Sequence, residues 1–242
     1  MIKVYKNICP VDILAIGVHP DDIELSCSGT VLKHIEKGYS VGLADLTRGE
    51  LGTRGNAQLR LKESAMAAEV QDVSFRVNLA MKDGFFAVDN DHILEIVKLI
   101  RISTPKIILA NAVDDRHPDH GRASELVKRA FFYSGLSKIV TLEGPHHRAS
   151  HLYKYIQDKN LTPDLCVDVS STVDKKMEAI ACFKSQFYSG DGTGPVTPIS
   201  TKEFMDFILA KMRVFGRNIN VSYAEGFNVH RTMGSDDLFK LL

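Results

Sequence analysis

The 242-residue chain has no excess of either charge, 30 Lys and Arg against 30 Asp and Glu, so no global field draws it to nucleic acid or to an anionic membrane surface. Recognition of charge must be local. No apolar run approaches the ~18 residues that cross a bilayer, and the opening Met1-Ile2-Lys3-Val4-Tyr5-Lys6 is not followed by the apolar stretch of a signal peptide. A soluble, cytoplasmic protein is expected. The four cysteines, Cys9, Cys27, Cys166 and Cys182, form no CxxC pair, which argues against a disulfide framework and for reduced thiols. Low-complexity tracts, repeats and linkers are also missing, and 44% hydrophobic residues suffice for one core, so residues 1–242 are expected to form one domain. Finally, the first strand-to-helix turn, Gly17-Val18-His19-Pro20-Asp21-Asp22, has neither GxGxxG nor a Walker lysine, and its carboxylates would repel a pyrophosphate. Dinucleotide binding is disfavoured.

What that turn does contain organises the rest of the chain. His19-Pro20-Asp21-Asp22-Ile23-Glu24 follows an apolar run from Ile13 to Val18, so its polar side chains gather where a buried strand ends. Pro20 biases His19 toward extended backbone, and two consecutive carboxylates in a turn point different ways. One can bind a cation while the other stays free. A catalytic zinc site takes three N/O protein ligands and keeps a position for water, so a further ligand must come from elsewhere. A second apolar strand, Lys106 to Asn111, leads within a few residues to Arg116-His117-Pro118-Asp119-His120. Parallel strands deliver their loops to one edge, so the two His-Pro-Asp segments can meet.

Elsewhere the chain alternates strand and helix. Val31, Leu32 and Ile35 mark a helix over about 28–37 that stops at Gly38, and Tyr39 to Asp45 reads as the next strand. A loop from Thr47 to Gly55 holds three glycines and two arginines ahead of a helix capped near Asn56 and running to about Glu69. Strand Phe75 to Leu79, a helix through Ile93, Ile96, Val97 and Ile100, and a helix after His120 to about Phe132 complete the regular half. This rhythm predicts an α/β, Rossmann-like three-layer α/β/α sandwich with a mostly parallel sheet. The second half is less regular: strands at 152–156 and 165–169, a helix over about 172–185, and a polar loop from Gln186 to Ser200 expected to be a lid or an oligomer contact. Thr201 caps a helix whose stripe of Phe204, Phe207, Ile208, Met212 and Phe215 is expected to be core or subunit interface. His146, His147 and His151 read as exposed residues and not as a second metal site.

With HPDDIE and HPDH both present, the chain resembles the PIG-L/LmbE-like zinc-dependent de-N-acetylases. Thr47 to Gly55, Ser185-Gln186-Phe187 and the region Val214 to Phe227 resemble the branch acting on N-acetylglucosaminyl-malate in bacillithiol biosynthesis. One departure lies at His146-His147-Arg148-Ala149, where that branch has Pro-His-Arg-Pro.

The resemblance implies Zn²⁺ on His19, Asp22 and His120, Asp21 as general base, and His117 stabilising or protonating the reacting amide with Asp119 beside it. It implies Arg48 for the malyl carboxylates, Arg116 at the rim, Arg148 at the substrate pocket, and a homo-oligomer, with a hexamer among the candidates. The donor set agrees physically, because two neutral imidazoles and one carboxylate leave the ion net positive charge with which to acidify water. Glu24 is either a carboxylate supporting the ligands or a helix cap. Fe²⁺ or Co²⁺ suit the same donors. Another N-acyl conjugate as substrate, or a non-catalytic sugar-binding domain, are the competing functions.

Overall fold

The computed structural model describes residues 8–188, 194–237 and 239. Its centre is β1 (Ile13–Gly17), every residue of which is buried, as a strand covered on both faces must be. After β1 the chain forms a one-turn helix α1 (Asp22–Ser26), then α2 (Ser28–Glu36), and returns as β2 (Val41–Thr47). The helix expected over about 28–37 is α2, and the short α1 before it, which carried no assignment from the sequence, is separated from it at Cys27, whose φ of −141° is not helical. The helix α3 (Ala57–Gln71) is capped as expected, by the Asn56 side chain accepting from the Leu59 N–H. It leads to β3 (Phe75–Met81), α4 (Asn90–Ser103), β4 (Ile107–Ala110) and α5 (Pro118–Ser134).

The remaining elements are β5 (His151–Tyr155), β6 (Leu165–Asp168), α6 (Val173–Ala181), α7 (Lys202–Asn218) and β7 (Ala224–Val229). One seven-stranded sheet runs β3-β2-β1-β4-β5-β7-β6. Pairing is parallel from β3 to β5, whereas β7 lies antiparallel to both β5 and β6. The fold is therefore the mostly parallel α/β architecture expected. Tyr223 to Phe227, which carried no strand assignment from the sequence, supplies most of the inserted strand.

Alternation along β1 shows the layering. Leu14 and Ile16 pack with Ile93, Ile96, Val97 and Ile100 of α4 and Leu126 and Val127 of α5, while Ile13 and Ala15 pack with Ile23 and Val31 on the other face. Helices cover both sides. Because the strand order reverses direction between β1 and β4, the loops leaving those two strands part to opposite faces and open a crevice at their carboxyl ends, where such sheets bind ligands. The two His-Pro-Asp loops leave these two strands.

Candidate active site

The carboxyl end of β1 forces an unusual backbone. Asp21, at the entrance to α1, has φ of 144°, a conformation that costs a non-glycine residue about 1–3 kcal/mol. The turn folds Asp22 back so that its Oδ2 accepts from the N–H groups of Val18 (2.9 Å) and His19 (3.0 Å) and from Asn111 Nδ2 (3.0 Å). Three donors saturate that oxygen. Oδ1 faces His120 Nε2 at 3.2 Å, and this Nε2 is buried without a hydrogen-bond partner. His19 Nδ1 lies 3.8 Å from Asp22 Oδ2.

One ligand atom from each of His19, Asp22 and His120 falls within 4.8 Å of the others, all three residues being buried. The far nitrogen of each imidazole meets a carboxylate: His19 Nε2 is 3.0 Å from Asp83 Oδ1, and His120 Nδ1 is hydrogen-bonded to Asp115. Such partners fix the tautomer and aim the other nitrogen, as in carboxylate–histidine–metal triads. An orphaned imidazole nitrogen, a free carboxylate oxygen and two oriented rings fit a divalent cation with N/O preference. A second triple, His19, His117 and Asp119, also lies within 4.8 Å, but Asp119 is already engaged by the Gly84 N–H (2.9 Å) and Arg122 Nη1 (2.8 Å).

Charge in the pocket follows this geometry. Burial opposes protonation of His19, yet its hydrogen bonds and the negative charges of Asp22 and Asp83 outweigh it and push the imidazole up to about 10. His120 behaves likewise, burial against Asp22 and Asp115, and rises to about 9. His117 goes the other way, held below its ordinary value by burial and by the His19 and His120 charges. Burial pushes Asp21 up to about 7 against the pull of Arg60.

Arg60 is a residue the sequence reading missed. Its Nη2 reaches Asp21 Oδ2 at 2.7 Å and the Pro20 carbonyl at 2.8 Å. Gly49 makes this approach possible: its φ is +63°, and a Cβ there would lie 2.1 Å from Arg60 Nη1. Glu24 is not a cap. It is fully buried and ion-paired to Arg76 at 2.6 Å, with Gln71 at 2.7 Å, so it anchors the short helix that carries Asp22.

His19, Asp21, Asp22, His117 and His120 line one cavity of about 360 Å³, a volume that suits a small molecule. Arg116 lines it too, exposed and paired with Asp158. Two arginines expected to contact substrate are not among the lining residues. Arg48 is half-buried just before Gly49, and Arg54 lines the cavity. Arg148 lies outside as well, exposed, its guanidinium 5.4 Å above the Phe132 ring and against Gly135, which lacks a Cβ to block it. His147 bonds the Pro105 carbonyl, His151 stacks on Tyr153, and neither belongs to a metal-capable cluster among the described residues.

The far wall comes from the irregular half. Gln186, Thr197, Pro198 and Ile199 border the cavity, so this loop does reach the site, although 189–193 lie outside the described residues. The α7 stripe was expected as core or interface. Ile208, Met212 and Phe215 are buried, yet with Phe204 and Phe207 they also form the cavity wall, since α7 lies across β7.

An α/β sheet whose switch point holds a cation-sized His/Asp cluster beside an additional carboxylate has the parts that metal-assisted hydrolysis uses. Residues 14–131 match the PIG-L family, described as GlcNAc-PI de-N-acetylase, so the chain carries a PIG-L family domain. It is similar to the diacetylchitobiose deacetylase of Thermococcus kodakarensis, 29% identical over 72% of this chain and 70% of the relative. It also resembles a probable N-acetyl-alpha-D-glucosaminyl L-malate deacetylase of Bacillus anthracis, 27% identical over 72% and 81%. A 4-oxalmesaconate hydratase of Pseudomonas putida, 25% identical over 72% and 73%, is a relative too. Among solved structures, the conserved protein TT1542 of Thermus thermophilus superposes with a TM-score of 0.83 at 32% identity, over 93% of this chain and 98% of that one.

Proposed function

We propose that this chain hydrolyses the acetamide of an N-acetylglucosamine conjugate, with N-acetylglucosaminyl-malate as the substrate. The observation that carries the reading is the convergence of His19, Asp22 and His120 beside an Asp21 that is bound to Arg60 and free of the cluster. A divalent ion held by those three residues, zinc by donor preference, would polarise the carbonyl and acidify a water.

The chain's own residues do the rest. Asp21, raised toward neutrality, takes a proton from the attacking water, and Arg60 keeps its carboxylate ionised and aimed. His117 sits at the N-terminus of α5, its Nδ1 accepting from the Asp119 N–H at 3.3 Å, which leaves Nε2 to face the developing oxyanion or the departing nitrogen. An amide anion is too basic to leave, so the nitrogen is protonated by the acid form of Asp21 or by His117. The malate conjugate is supported by the resemblance in three segments and by the B. anthracis relative.

Acetate release from N-acetylglucosaminyl-malate, N-acetylglucosamine, diacetylchitobiose and a mercapturate-type amide, with and without chelator, tests the reading. Chelator-sensitive release with the malate conjugate preferred is expected. No release from any amide overturns the deacetylase reading, and release without malate preference overturns the substrate.

A further inference from the structure

The cations lining the cavity are not equivalent. Arg60 is paired with Asp21, Arg116 with Asp158, and Lys176 with Glu225 at 2.7 Å. Arg54 directs Nε and Nη1 to the carbonyls of Ser185 and Pro195. Lys211, on the inner face of α7, has none of this: its Nζ is buried and, among the described residues, without a hydrogen-bond partner. Its neighbours are the faces of Phe207 and Phe215, with ring centres 5.8 and 6.0 Å away. Asp115 and Asp158 attract it without forming an ion pair with it, and each already serves another residue, His120 and Arg116 respectively.

A buried ammonium with only two aromatic faces for company is a costly arrangement. A ligand carboxylate reaching this Nζ would supply the missing partner. We propose that Lys211 anchors a carboxylate of the substrate's aglycone and so sets the preference for an acidic conjugate over a neutral one. The assignment rests on the deacetylase reading only for which end of the substrate faces α7. A single point charge near two aspartates matches a monovalent carboxylate better than a phosphate dianion, which calls for several donors. Apolar walls of Phe207, Ile208, Met212 and Phe215 strengthen one ion pair by excluding water.

The test is a binding measurement that needs no turnover. Glucosaminyl-malate, which has no acetyl group to lose, and its dimethyl ester are titrated calorimetrically into the zinc-loaded full chain. Wild type is expected to bind the dianion at least about tenfold more tightly than the ester. In Lys211→Met, with folding verified by circular dichroism, the ratio falls to about one, and in Lys211→Arg most of the preference returns. A wild type that shows no preference, including one that binds neither form, overturns the proposal, and so does a Lys211→Met protein that keeps the preference. Acetate release scores the catalytic reading separately. Charge preference without acetate release leaves Lys211 as an anion anchor and removes the deacetylase, whereas acetate release without charge preference does the reverse.

Discussion

Arg60 and Asp21 form a buried ion pair of 2.7 Å across 39 residues of sequence, and the pair sits against the cluster of His19, Asp22 and His120. Its effect on chemistry can be signed. Burial raises Asp21 to about 7 while Arg60 pulls it down, so Arg60→Met moves the carboxyl further up. A general base must be ionised to work. The acid limb of the kcat/KM–pH profile is therefore expected to shift upward by roughly one unit or more, with activity at pH 6 falling far more than at pH 9. An unchanged acid limb would separate Arg60 from the base.

Asp21 itself is expected to be needed for turnover and not for metal retention. Asp21→Asn keeps the side chain's shape and an oxygen for Arg60 but cannot accept the proton, so kcat should fall by roughly 10²–10⁴. Metal content measured by mass spectrometry should stay near that of the wild type, because the donors are His19, Asp22 and His120. Loss of metal along with activity would move Asp21 into the ligand set.

Metal uptake should compete with protons. In the metal-free protein, carboxylate neighbours push His19 up to about 10 and His120 up to about 9, so both imidazoles carry protons at neutral pH. Ligation requires them neutral. Zinc affinity is expected to rise as pH increases toward 9, by about ten- to a hundredfold per unit for one or two displaced protons. Titrations in buffers of different ionisation enthalpy would count those protons, and flat affinity between pH 6 and 8.5 would contradict the arrangement.

Why part of this site is legible in sequence and part is not has a physical reason. His19, Asp22, His117 and His120 lie in or just after two short turns that open α1 and α5, each stiffened by a proline and each following an apolar strand, so the strand pattern puts them on one edge. Asp83 and Arg60 also serve the cluster, but they reach it from elsewhere in the chain, 64 residues from His19 and 39 from Asp21. Nothing local in Lys82-Asp83-Gly84 distinguishes a histidine's partner from a turn aspartate, although its place just after a third parallel strand was a usable hint. The same limit explains Arg48. Nearness to the strand end favoured it, whereas Arg54, beyond the left-handed turn at Gly49, is the arginine of this loop that lines the cavity. The antiparallel β7 was obscured because Ala224-Glu225-Gly226 is weak strand sequence, held there by buried Glu225 bonding Lys176 and the amides of Gly29 and Thr30.

Lys211 gives the last prediction, one about stability. Burial lowers its ammonium from an ordinary value near 10.5 to about 8, and the attraction of Asp115 and Asp158, reduced by the repulsion of Lys176, does not restore it. A lysine whose folded value is depressed binds fewer protons in the folded chain than in the unfolded one between those two values. Stability from this group therefore increases as pH climbs from 8 toward 10.5, and the full penalty is present below 8. Replacing the ammonium by an isosteric apolar group removes that penalty, so Lys211→Met should be more stable than wild type at pH 7, on the order of 2 kcal/mol after allowing for partial solvent screening. The gap should close as pH approaches 10.5. Urea denaturation of both proteins at pH 7 and pH 10 measures this, and a Lys211→Met chain that is less stable at pH 7 would mean that the ammonium is already matched inside the fold.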